Sequence, residues 1–397
     1  MSGQDGDSIL AANSQELKKF ICNEIAEHGG IPFDEYMHHC LYHPQYGYYV
    51  YPRQRIGSKG DFFTSSSVHR VFGRLIAVQL KQMWEVLGEK NFTIVEQGAG
   101  EGDLALDILD ALAMQAPEFY AHLQYIIVEI SPDNRRRQRG KLAEHGSVVS
   151  WRAFDELPEI NGCFLSNELV DAFPVSVVEK RDGQLHELFV IEKDGRFVEE
   201  LRVPVSSRIE QHFDKLGVAP MEDNRAELCT VASEWVENVA AKLKRGFVLT
   251  IDYGYPAQEL YASFRKNGTL LCYHQHQAND NPYQNIGCQD ITTHVDFTLL
   301  QQVGAQAGLR TIYFAEQYRF LIGLGFVEEL VRLQAQEEDE CKALALRMTL
   351  KNLIMPDGGM GETFKVLIQE KNVGDVKLQC ARTLRDIPIE PLAMVDM

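Results

Sequence analysis

Val95-Glu96-Gln97-Gly98-Ala99-Gly100-Glu101-Gly102-Asp103-Leu104 is the stretch on which the fold of this chain turns. It follows a short apolar run, 92–95, that reads as a strand, and it opens a run with helical periodicity, 104–114. Glycines in that context let backbone amides and a helix N-terminus approach a ligand closely. A dinucleotide loop of the form GxGxxG would place its third glycine at 103, whereas here it stands at Gly102 and Asp103 occupies the later place. Glu96 puts a negative charge beside the loop, unfavourable next to a pyrophosphate and favourable next to the sulfonium and ammonium charges of S-adenosylmethionine (SAM). Glu129 closes the next apolar run, Ile127-Val128-Glu129, where a carboxylate can accept hydrogen bonds from both hydroxyls of a ribose. A bare GxG is as often an ordinary tight turn, but strand, helix and Glu129 together favour SAM. Glu96, Gly98, Ala99, Gly100, Gly102 and Glu129 are therefore the expected cofactor contacts.

Outward from the loop, short apolar runs alternate with helical patterns. Strands are expected at 92–95, 125–128, 148–151, 163–166 and 247–251, and further ones at 311–314 and 364–368, with helices at 14–27, from 68, at 104–114, at 134–142 and across 334–350. Such alternation implies an α/β fold with a parallel, doubly wound, Rossmann-like sheet. An interruption carries alternating patterns at 175–179 and 185–191 around Arg181-Asp182-Gly183, the pattern of a β-hairpin, followed by helices. The expected division is an N-terminal helical cap and lid (1–90), the first part of the core (91–174), an inserted hairpin and helices (175–245), the second part of the core (246–372) and a patternless tail (373–397).

Ligands of open α/β sheets bind beyond the carboxyl ends of the strands, which draws attention to Ser166-Asn167-Glu168-Leu169-Val170-Asp171. Methyl transfer is an in-line displacement that needs chiefly orientation. Carboxylates there can align a guanidinium and receive its proton. Asn167, Glu168 and Asp171 are the expected catalytic residues, the alternative being that the acids cap a helix or bind a backbone amide. Asp252 and Tyr253, in Thr250-Ile251-Asp252-Tyr253-Gly254, end another strand and are expected to shape the acceptor pocket, unless they simply form a turn. Gly60, Asp61 and Thr64 belong to a polar loop that could close over the cofactor. Tyr46, Tyr48, Tyr49 and Tyr51 read as packing. Cys272, His274, His276 and Cys288 match no common zinc spacing, and no metal is expected.

With 39 basic and 57 acidic residues, the 397-residue chain carries a formal net charge of -18, which repels a phosphate backbone and argues against a nucleic-acid substrate. The same charge suits a cationic partner. No apolar run approaches the roughly 20 residues of a membrane span. The eight cysteines form no CxxC pair and read as thiols of a reducing compartment. The start, MSGQDGDSIL, lacks the features of a secretory or transit peptide, so the cytoplasm is the expected location. Nothing in the pattern specifies an oligomeric state.

Several blocks in order resemble one family, the MidA-type methyltransferases, whose mitochondrial members assist assembly of respiratory complex I. They include Gly60-Asp61-Phe62-Phe63-Thr64, the glycine loop, Val128-Glu129-Ile130-Ser131, Asn167-Glu168-Leu169-Val170-Asp171-Ala172-Phe173-Pro174, Ile251-Asp252-Tyr253-Gly254 and His294-Val295-Asp296-Phe297. The resemblance implies a class I SAM fold, SAM contacts at Gly98, Gly100 and Glu129, and methylation of arginine ω-nitrogens in a protein such as a complex I subunit. Ser65-Ser66-Ser67 departs from the family, which tends to place a proline-acidic pair after the threonine, and the N-terminus suggests a bacterial-type member. Two other readings compete: an NAD- or FAD-linked oxidoreductase, and an assembly factor that keeps the SAM fold but acts by binding its client.

Overall fold

A computed structural model describes residues 3–53, 55, 61, 68–204, 207–355 and 360–383. The chain opens with helix Gly3–His28 (α1), strand Ile31–Pro32 (β1) and helix Phe33–Tyr42 (α2). After helix Val71–Val86 (α3), strands and helices alternate: Phe92–Gln97 (β2), Asp103–Gln115 (α4), Leu123–Val128 (β3), Pro132–Lys141 (α5), Val149–Trp151 (β4) and Ile160–Asn167 (β5). Then come Ser176–Arg181 (β6), Gln184–Lys193 (β7), Arg196–Arg202 (β8), helix Arg208–Leu216 (α6), Arg225–Leu228 (β9), helix Thr230–Lys242 (α7) and Leu243–Tyr255 (β10). Three short strands, Leu271–His274 (β11), Gln277–Asn279 (β12) and Asp290–Thr292 (β13), precede Val295–Asp296 (β14), helix Phe297–Gln306 (α8) and Arg310–Glu316 (β15). Helices Gln317–Gly323 (α9), Phe326–Gln336 (α10) and Glu340–Lys351 (α11) lead to the last strand, Phe364–Lys371 (β16).

The central sheet runs β15-β16-β10-β5-β2-β3-β4. Its strands are apolar on both faces because both are covered. Ile94, Cys163, Leu165, Phe247 and Leu249 join one core with α3 and α4, while Val95, Ile126, Phe164 and Val248 join another with α6, α7 and α8. The pairs from β4 to β10 are parallel. At the far edge the expected parallel sheet is corrected: β16 is antiparallel to both β10 and β15. Helices α9, α10 and α11 return the chain to the end of the sheet where β15 finished, so β16 runs back down it, and residues 360–364 sit beside the carboxyl ends of the parallel strands.

The strand order reverses at β2, whose neighbours are β3 and β5. Connections leaving the two sides of that point part from each other and leave a crevice. The loops after β2 and β5, carrying Gly98 and Glu168, flank it.

Strands β1, β7, β6 and β9, with β8 beside β7, form a second, antiparallel sheet. The expected hairpin is β6 and β7, turned by Asp182 (φ 50) and Gly183 (φ 75), the left-handed pair that a two-residue hairpin needs. Asp194 and Gly195 repeat the device and add β8, an extra strand in the insertion. Because β1 pairs with β7, and Leu17, Ile21, Tyr36 and Met37 share a core with Val177, Leu188 and Val190, the N-terminal segment and the insertion are one layer rather than two attachments. Helix α3, placed in the cap by the division at residue 90, belongs instead to the core: an added Cβ on Gly73 would lie 2.5 Å from Asp107 Cβ in α4. In the tail, the turn Gln379–Ala381 packs against Gly323, and 384–397 lie outside the described residues. Among the described residues no helix is long and apolar enough to cross a membrane.

Candidate active site

The glycine loop leaves β2 with Gly98 (φ 71) and Gly100 (φ 53) in the left-handed region, and Gly102 (φ 87) turns the chain into α4. A Cβ on Gly98 would stand 2.9 Å from Leu169 Cδ1, so the loop is pressed against the segment that follows β5. Gln138, which the sequence did not single out, ties this corner together. Its Nε2 donates to the carbonyl of Gly100 (2.8 Å) and to Glu129 Oε2 (3.2 Å), and its Oε1 accepts from Trp151 Nε1 (2.8 Å). Glu129 also accepts from the amide of Ser131 (2.8 Å) and from Asn134 Nδ2 (3.3 Å). Burial pushes its pKa up, although these bonds oppose the shift. Glu96, only 2% exposed, accepts from the Tyr125 hydroxyl at 2.8 Å, and burial, with Glu129 and Asp103 nearby, pushes its pKa up to about 7.

After β5 the backbone turns sharply. Glu168 has φ 54, a left-handed conformation uncommon for a residue other than glycine, of the kind that clusters at functional sites. Asp252, which is fully buried, holds this turn. Its Oδ2 accepts the amides of Leu169 (3.2 Å), Val170 (2.9 Å) and Asp171 (3.4 Å), and its Oδ1 accepts that of Tyr253 (2.9 Å). Burial first, and then Glu168, push its pKa up to about 7. Asn167 Nδ2 donates to Glu168 Oε1 (3.0 Å), and the Tyr253 hydroxyl donates to Asp171 Oδ2. Asn167 Oδ1 and Asp171 Oδ1 are buried with no hydrogen-bond partner. Burial and the neighbouring Asp252 drive the Asp171 carboxyl well above the usual carboxylate range.

These elements surround one cavity of about 980 Å³, at the upper end of the roughly 300–1,000 Å³ of small-molecule sites. Of the expected residues, Asp61, Glu96, Gly98, Ala99, Gly100, Glu129, Asn167, Glu168, Asp171 and Tyr253 line it. Two do not. Gly102 lies one step back, where an added Cβ would stand 3.2 Å from Gln138 Cγ, because its task is to start the helix. Asp252 faces the turn and its carboxylate is committed to backbone amides, which corrects its expected place in the acceptor pocket. The Asp61 carboxylate is engaged by the Tyr48 hydroxyl (2.9 Å), Arg53 (2.8 Å) and the amide of Gln275 (2.7 Å). Gly60 and Thr64 lie outside the described residues.

The far wall was not legible in advance. Tyr42 and Tyr49 stack with ring centroids 5.5 Å apart, and the Tyr49 hydroxyl donates to Asp290 on β13. His38, Tyr273, His276, Thr292, His294 and Phe364 also reach the cavity. The aromatic density of 42–51 pointed to packing, which holds for fully buried Tyr48, and His276 and His294 stood out in the sequence without a role at this wall. Among the described residues the lining has six carboxylates, Asp61, Glu96, Glu129, Glu168, Asp171 and Asp290, and no lysine or arginine. The cavity is built for positive charge. Its glycine corner offers close backbone approach, and the sulfonium and ammonium of SAM suit the two glutamates beside it, so the residues present fit that cofactor.

A family model described as "Putative S-adenosyl-L-methionine-dependent methyltransferase" matches residues 75–315, more than half of the chain. The chain belongs to this family. It is a SAM-dependent methyltransferase. A crystal structure of a Burkholderia thailandensis protein bound to S-adenosyl-homocysteine matches it with a TM-score of 0.83 at 31% identity, over 96% of this chain and 97% of that one. A native structure from the same organism matches equally, at 33% identity over 96% of both chains. SAM is therefore the cofactor, and the dinucleotide reading falls. Curated relatives include the mitochondrial protein arginine methyltransferase NDUFAF7 homolog of Drosophila melanogaster, 29% identical over 77% of this chain and 73% of that protein. The human protein arginine methyltransferase NDUFAF7 is 26% identical over 88% and 82%, respectively.

Proposed function

We propose that this methyltransferase modifies an arginine side chain of a partner protein. The observation that carries the reading is the acceptor end of the cavity, where the unpartnered Asn167 Oδ1 and Asp171 Oδ1 lie near further carboxylates and no lysine or arginine of the described lining. Buried acceptors and buried negative charge both call for a donor-rich cation, and a guanidinium offers five N–H donors. The relatives named as protein arginine methyltransferases support the same acceptor.

In this proposal Glu96, Gly98, Ala99, Gly100 and Glu129 hold the cofactor. When bound, SAM supplies a methyl group activated by its sulfonium. Asn167, Glu168 and Asp171 orient the guanidinium so that one ω-nitrogen faces that methyl in line with the departing sulfur. The new N–C bond forms as the C–S bond breaks and sulfur keeps the electron pair. The nitrogen then releases a proton, and Asp171, kept ionised by the guanidinium beside it, accepts the proton before passing it to solvent.

Incubation with methyl-deuterated SAM and peptide pools, one drawn from respiratory complex I subunits and one from unrelated proteins, followed by fragmentation mass spectrometry, tests the reading. Label on arginine, lost by a factor on the order of 10² in Glu168→Gln, is expected. Label confined to lysine or to a carboxylate refutes the acceptor. Saturable SAM binding without any transfer to a bound client points to the client-binding factor.

A further inference from the structure

The wall facing the Asn167–Asp171 segment repeats its chemistry with different residues. On one side the Tyr253 hydroxyl donates to one oxygen of Asp171 and leaves the other without a partner. On the other, the Tyr49 hydroxyl bridges both oxygens of Asp290, at 2.8 and 2.9 Å, while the amide of Ile291 takes Oδ1 at 3.0 Å. Asp290 Oδ2 therefore keeps lone-pair capacity, and Asp290 lines the cavity. The two segments are neighbours, since Thr293 donates its amide to the carbonyl of Asp171 (3.0 Å), and both carboxylates line the same cavity. Tyr49 is itself fixed by the stacked Tyr42, whose hydroxyl donates to the carbonyl of Ala172 at 2.9 Å, on the residue after Asp171.

We infer that Asp290, held in place by Tyr49, is a second carboxylate of the acceptor subsite, and that with Asp171 it grips a guanidinium from two edges and so selects it over a lysine ammonium. The inference rests on the arginine reading. A guanidinium is planar, with donors on several edges and a face that stacks on aromatic rings, whereas an ammonium presents three donors around one point and satisfies a single carboxylate. Two Asp–Tyr pairs from separate parts of the chain, bordered by a stacked tyrosine pair, match the former. Burial lifts Asp290 to about 6 even though the Tyr49 and Ile291 hydrogen bonds and the charge of Arg53 lower it, so a further cation at this carboxylate would be favoured.

The test uses the full chain saturated with S-adenosyl-homocysteine and two probes, N-acetylarginine amide and N-acetyllysine amide, titrated by ligand-observed NMR. Wild type is expected to bind the arginine probe in preference to the lysine probe. Asp290→Asn should lose about tenfold or more of the arginine affinity, little of the lysine affinity, and none of the S-adenosyl-homocysteine affinity. Tyr49→Phe, which leaves Asp290 in place but unfixed, should move in the same direction, and it decides the matter should Asp290→Asn fail to bind S-adenosyl-homocysteine. Arginine binding and preference unchanged in the variants overturn the role of Asp290 while leaving the arginine reading standing. Absence of saturable arginine binding to wild type overturns both.

Discussion

Asp252→Ala removes the acceptor on which four backbone amides converge, those of Leu169, Val170, Asp171 and Tyr253. A buried N–H left without a partner costs about 1–3 kcal/mol. The contacts at 3.2 and 3.4 Å share an oxygen with a better one, so the two bonds at 2.9 Å carry the estimate, and the loss comes to roughly 2–6 kcal/mol. Asp252→Asn keeps an oxygen for one side of the turn and sets an NH2 against an N–H on the other, at about 1–3 kcal/mol. Domains are stable by about 5–15 kcal/mol, so the alanine variant approaches unfolding and the asparagine variant does not. Urea unfolding followed by the fluorescence of the three tryptophans should rank wild type above Asn and Asn above Ala. The folded Asn variant should bind S-adenosyl-homocysteine within a few-fold of wild type, because Asp252 does not line the cavity, yet transfer methyl groups at least about tenfold more slowly, because Glu168 is no longer held at φ 54. An alanine variant as stable as wild type, or an asparagine variant with full turnover, would refute the claim that this carboxylate holds the turn.

Because burial raises Glu96 to about 7 from an ordinary 4.5, the folded protein binds that proton more tightly than the unfolded chain, and stability is lost as pH rises from 4.5 through 7. Glu96→Gln should remove up to about 3 kcal/mol of that decline between pH 5 and 8, as denaturation at the two pH values will show. The same ionisation should tighten SAM binding about tenfold between pH 6 and 8 in wild type and not in Glu96→Gln; equal slopes in a calorimetric titration would separate Glu96 from the cofactor. Gly100→Val places a β-branched residue at φ 53, which costs roughly 1–3 kcal/mol, and should leave a folded protein whose SAM affinity falls more than tenfold. A folded variant with unchanged affinity would take the loop out of the cofactor site.

The sequence was most informative where chemistry is local. The central strands showed as short apolar runs because each is covered on both faces, and the Gly98-to-Asp103 loop announced itself because strand, glycines and helix are contiguous. Strand direction has no such signature, since β16 alternates no differently for running antiparallel. The third strand of the insertion was within reach, as Asp194-Gly195 is the same turn signal that marked Asp182-Gly183. Asp252 and Tyr253 could not be separated by spacing alone, yet as adjacent residues of one strand they point opposite ways, one into the turn and one into the cavity. The acceptor wall was out of reach for another reason: Tyr49 and Asp290 meet across 241 positions, and Gln138 serves the glycine loop from 38 residues away.

That separation has a consequence for how the enzyme is made. At ribosomal speeds of about 5–20 residues per second, Tyr49 emerges some 12–50 s before the aspartate it will hold, and Phe364 follows later still. The cofactor corner draws its residues from positions 96 to 169, but the acceptor pocket cannot close until nearly all of the chain has left the ribosome. A chain ended before Asp290 would therefore hold the residues for the methyl donor without all of those for the group that receives it.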